Sequence, residues 1–111
     1  MIFSILAAVT LIWTAPGDDG NVGTAAVYDV RYAADSAAVK NSWSTATQLT
    51  GEPAPRVAGT AETFTFNLPA SGTWWFGIRT RDEVGNESAT SNIISKVVPD
   101  TLPPATITDL R

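Results

Sequence analysis

The sequence predicts an all-β domain, a Greek-key sandwich of two antiparallel sheets. Three observations carry this: apolar residues alternate with polar ones at period 2, turn residues recur at short intervals, and no stretch reads as a good amphipathic helix. Two sheets with one apolar face each must bury those faces against each other. With 111 residues, 44% hydrophobic and 16% charged, the chain suits one folded domain and not a disordered segment.

The first expected strand, residues 9–14, sets Val9, Leu11 and Trp13 on one face and Thr10, Ile12 and Thr14 on the other. Pro16, three glycines, Asp18, Asp19 and Asn21 then make loop chemistry over residues 15–23. Residues 26–32 alternate again, with Tyr28, Val30 and Tyr32 against Val27, Asp29 and Arg31, and predict a half-buried strand. After a polar loop of small residues, the Thr-rich run 43–50 reads as an edge strand, and the two prolines of residues 51–60 exclude a central strand there.

Residues 63–68 place Phe64 and Phe66 together on one face. Residues 73–82 place Trp74, Phe76, Ile78 and Thr80 on one face and Trp75, Gly77, Arg79 and Arg81 on the other. Successive side chains in a strand point to opposite faces, so the adjacent rings of Trp74 and Trp75 cannot share a core. Residues 91–98 supply the last strand. The expected core is Trp13, Tyr28, Val30, Phe64, Phe66, Trp74, Phe76 and Ile78.

The composition narrows function more than it assigns it. A net charge of −4, with Lys40 and Lys96 the only lysines, disfavours nucleic acid or an anionic membrane as partner. The chain has no cysteine and no histidine, so disulfides, thiol catalysis, the usual zinc sites and the common general base are excluded. No cofactor is expected and no catalytic constellation is available. The apolar start over residues 1–13 invites a signal-peptide reading but has no basic n-region, since Arg31 is the first basic residue. It also ends short of a membrane span at Thr14, Pro16 and Gly17.

Several stretches resemble a fibronectin type III domain of the kind found in bacterial extracellular proteins: Val9 to Pro16, then Tyr28-Asp29-Val30-Arg31-Tyr32, then Leu68 ahead of residues 73–88. The resemblance covers residues 9–98 and implies an immunoglobulin-like sandwich. It makes Trp13 the core tryptophan of strand B, puts Tyr28, Val30 and Tyr32 on strand C and Trp74 to Arg81 on strand F, and makes residues 81–88 the loop between strands F and G. The family usually carries a tyrosine where Trp74 stands. The indole N–H can replace the donor half of that residue's bond to the backbone, so Trp74 is the inward ring and Trp75 the outward one.

Residues 99–111 resemble the linker and first strand of a following repeat, and residues 1–8 are an extension outside the family pattern, expected to lengthen the first strand. The implied role is a spacer or binding unit of a multi-domain secreted or cell-surface protein, with neighbouring domains of the same polypeptide as partners. Two alternatives are a carbohydrate-contacting accessory domain of a secreted hydrolase and a subunit that assembles head to tail by strand donation from the tail.

Remaining motifs read mainly as structure. Asp18, Asp19 and Asn21 lack the ligand spacing of a calcium loop and fit a solvated turn. Asp82, Glu83 and Glu87 sit on a loop tip that offers no desolvated pocket for acid–base work. Asn86-Glu87-Ser88 matches the glycosylation acceptor pattern, which matters only in a glycosylating secretory route. Trp75 with Arg79, Arg81 and, from the neighbouring strand, Arg31 makes the candidate contact surface for a protein or a glycan. Cover of the ring by guanidinium groups is the plainer reading of the same residues.

Overall fold

The computed structural model describes residues 8–17, 22–99 and 104–111. These form β1 (Ala8–Thr14), β2 (Val27–Ala33), a short helix α1 (Ser36–Asn41), a 3-10 turn at Trp43–Thr45, β3 (Thr47–Gln48), β4 (Ala61–Asn67), β5 (Gly72–Arg81) and β6 (Ile94–Val98). β1 and β4 make one sheet, and a second sheet has the order β3-β2-β5-β6. Every strand pair is antiparallel, so the all-β, two-sheet architecture read from the alternation is present.

The core lies between the sheets. Val9 and Leu11 from β1, Phe64 from β4, Val30 and Tyr32 from β2, Phe76 from β5, Val98 from β6 and Leu68 form one buried cluster, with Trp13, Leu49, Phe66, Trp74 and Ile78 half-buried against it. Pairing aligns these inward residues: Leu11 lies opposite Phe64, Val30 opposite Ile78, and Tyr32 opposite Phe76. A slip of one residue would turn each strand's apolar set to the wrong face. Tyr28 is buried beside this cluster, edge-on to Trp13 with ring centroids 5.0 Å apart. Trp74 points inward, edge-on to Tyr32, and its Nε1–H donates to the Ala70 carbonyl at 3.0 Å, which ties the start of β5 to the turn before it.

Three elements differ from the sequence reading. Residues 34–46, expected as a polar loop running into a strand at Trp43, instead contain α1 and the 3-10 turn, leaving only Thr47–Gln48 as the edge strand. Asp35 starts the helix by accepting the Ala38 N–H at 2.9 Å, and Val39, fully buried, faces β5. One and a half turns are too short to display a helical period, so the alternation rule misses them. β4 begins at Ala61 and not Thr63, which adds the buried Glu62 to the inward face.

β6 begins at Ile94 and not Ser91, because residues 88–92 follow β5 at a different pitch. Ser88 N–H donates to Thr80 O and Ser88 Oγ accepts from Thr80 N–H, at 2.8 and 2.9 Å, and Ser91 repeats both bonds with Ile78 at 3.0 and 2.9 Å. Three residues advance on one side for every two on the other. Serine hydroxyls fill the acceptor positions that regular ladder carbonyls would hold.

Candidate functional site

Part of the outer face of the four-stranded sheet is covered. Asp29 and Arg31 from β2 and Gly77, Arg79 and Arg81 from β5 share that face by parity, and α1 with Trp43 lies over it. Gly77 makes the close approach possible: a Cβ there would stand 2.8 Å from Val39 Cγ1 and 3.3 Å from the Trp43 ring. Trp43, only 9% exposed, is flanked by two guanidinium groups, Arg79 at 4.6 Å and Arg31 at 5.2 Å from its centroid.

Those arginines are held from their other sides. Arg31 Nε donates to the buried Asp29 carboxylate at 3.1 Å and its Nη1 to the Trp43 carbonyl at 3.0 Å. Arg79 donates to Thr90 Oγ1 at 2.9 Å and to Glu87 Oε1 at 3.0 Å, while Arg81 lies 3.7 Å from Asp29 and 3.5 Å from Glu87. Three cations and two carboxylates thus form one closed network around a ring.

The sequence reading brought Arg31, Arg79 and Arg81 together, and they are together, but around Trp43. Trp75 is half-buried, paired in the ladders with Ala33 and Ser95, and among the described residues no guanidinium lies on its ring. A ring sealed as Trp43 is has no open face on which a sugar could stack. The signal that points to Trp43 is its spacing of four from Val39, an apolar pair that α1 and the 3-10 turn after it bring together against Gly77.

A second polar cluster is internal. Glu62, on the inward face of β4 opposite Trp13, is 1% exposed, and its Oε2 accepts from the Tyr28 hydroxyl and from the Arg56 N–H, each at 2.9 Å. The Arg56 guanidinium approaches Oε1 at 3.7 Å from the solvent side. Burial pushes the Tyr28 hydroxyl up to about 12, and its bond to Glu62 adds to the shift.

The folded state therefore keeps this proton up to about pH 12, whereas the unfolded chain releases it near 10. The contribution is complete below pH 10 and is lost as pH rises towards 12. Tyr28→Phe is expected to cost about 1–3 kcal/mol at neutral pH by depriving Glu62 of a donor. Urea midpoints measured from pH 9 upward should also lose the part of the alkaline decline that Tyr28 causes.

The loop after β5 locks itself. Asp82 accepts from the Asn86 side-chain amide at 2.8 Å, the Asn86 N–H at 2.8 Å and the Val84 N–H at 3.1 Å, and these bonds, the Asn86 amide foremost, hold its carboxyl below the ordinary value. Gly85, at φ 92°, supplies the left-handed residue the turn requires. Asp82 and Glu87 face different partners, so they form no acid–base pair. The Asn86 amide of the acceptor pattern is already bonded to Asp82.

Among the described residues no group of three or more acidic, histidine or cysteine side chains is arranged to hold a metal ion, and no helix is long and apolar enough to cross a membrane. Asp18, Asp19 and Asn21 of the candidate calcium turn and residues 1–7 of the N-terminal extension lie outside the described residues. The chain matches no known family model, no curated protein and no solved structure.

Proposed function

We propose that this chain is a non-enzymatic β-sandwich module of fibronectin type III character, acting as a spacer or protein-binding unit within a multi-domain secreted or cell-surface protein. The observation that carries this reading is where the reactive side chains go. Asp29, Glu62 and Glu87 and the guanidiniums of Arg31, Arg79 and Arg81 are each engaged with groups of the same chain, so they hold shape and have no substrate-facing role. The donor bond from Trp74 to Ala70, at the corner where the family's tyrosine makes its own bond, supports the family reading. In this reading residues 99–111 are the linker and opening strand of a following repeat.

An antibody raised against the sandwich tests the proposal. It should detect, in the extracellular or surface fraction of the source cells, a polypeptide well above the 11.7 kDa of this chain. A band at that mass confined to the cytosol would overturn it.

A further inference from the structure

We infer that residues 104–108 of one copy dock as an added antiparallel strand on β1 of a second copy. Among the described residues β1 pairs with β4 alone. Ala15, just past its end, turns its N–H to Thr60 O and its carbonyl to Gly59 N–H, both on the β4 side. Parity then directs the N–H and C=O groups of Thr10, Ile12 and Thr14 to the other side, where among the described residues they present a free edge.

Beside that edge runs a groove between the two sheets. Its walls include Leu11, Trp13, Phe76, Ile78 and Ile94, and no charged residue lines it. Free ladder groups next to an uncharged apolar slot are what an extended strand recognises: its backbone pairs with the edge, and alternate side chains enter the slot.

The tail has the matching character. All of residues 104–111 are exposed and none lies in a strand, with Ile107 74% exposed. Thr106, Ile107 and Thr108 are β-branched in succession. On a strand Ala105 and Ile107 share one face and Thr106 and Thr108 the other, so Ile107 enters the groove while the threonines continue the exposed face of Thr10, Ile12 and Thr14. Asp109 ends the apolar face.

Direction identifies the donor as another molecule. Ala8 pairs with Asn67 and Val98 with Gly72, and residues 68–71 join those two strands, so β1 starts at the end of the body where β6 stops. An antiparallel strand on β1 must start from the opposite end, about 20 Å away over the six steps from Ala8 to Thr14. The six steps from Val98 to Pro104 reach at most about 20–22 Å when fully straight, which leaves no length for the two reversals of direction such a path needs. A second copy stacked end to end has no such limit, and the contact leaves the pair with one free tail and one free edge, so it propagates.

Light scattering on the full chain over a concentration series up to millimolar tests this. The weight-average mass should climb through the dimer and beyond, Ile107→Asp should abolish the climb, and Leu110→Asp, outside the docked face, should keep it. A wild type that stays monomeric overturns the inference, including the case in which the tail folds onto its own body. Equal loss in both variants also overturns it, as unspecific adhesion of an apolar tail. A monomer leaves the proposed spacer role standing, because the extracellular mass of the parent polypeptide is a separate measurement.

Discussion

Phe76→Ala is expected to lower stability by about 3–5 kcal/mol, a large share of the 5–15 kcal/mol that holds a domain of this size together. The ring is 1% exposed and lies at the centre of the sandwich, 5.7 Å from the Phe66 ring and 6.0 Å from that of Tyr32. It is where the aromatic residues of β2, β4 and β5 converge, so its removal leaves a cavity lined by rigid rings that cannot collapse to fill it. Thermal denaturation followed by near-ultraviolet circular dichroism should show a large fall in Tm. An unchanged Tm would mean that the sheets pack elsewhere.

Trp43→Ala should cost a similar amount, about 3–5 kcal/mol, for a different reason. The truncation removes the lid over Gly77 and the surface on which Arg31 and Arg79 stack, leaving Val39 and the buried Asp29 open to water. Hydrogen exchange distinguishes the two variants. Trp43→Ala should release the amides of α1 first and leave those of β1 and β4 protected, whereas Phe76→Ala should loosen both sheets together. Uniform loss in both variants would show that α1 and its turn are not a separate layer.

These two residues also mark how far the amino-acid pattern is legible. Phe76 follows from alternation: it shares a face with Trp74 and Ile78, and that parity alone places it inward. The same rule extends to Glu62, two residues before Phe64, although a carboxylate is hard to place in a core until its donors, Tyr28 and Arg56, are known. Those donors come from 34 and 6 residues away, and no local pattern connects them to Glu62.

Trp43 is hidden for another reason. Residues 43–50 are rich in threonine and look extended, and a short helix is decided by one cap at Asp35 and by the space that Gly77 leaves across the sheet. The arginines were legible as neighbours because strand register is local information. The ring they surround arrives from outside the strands and had no mark on it beyond its spacing from Val39. Trp75, the more conspicuous residue, lacks that cover because it stands two positions before Gly77, the glycine that admits it.

The serine steps beside β5 bear on how this strand is kept from pairing with other strands. Residues 73–80 are aromatic-rich and β-prone, with one internal charge, a composition suited to stacking with copies of itself. β2 occupies one side of this strand, and β6 with the hydroxyl bonds of Ser88 and Ser91 occupies the other. Its backbone therefore has no side open to an incoming strand once these neighbours are in place. The uneven pitch of residues 88–92 also makes that flank a poor template, since its bonding groups recur every third residue and a regular strand offers its own every second. The strand is thus open to such pairing only in the interval before residues 88–98 close over β5.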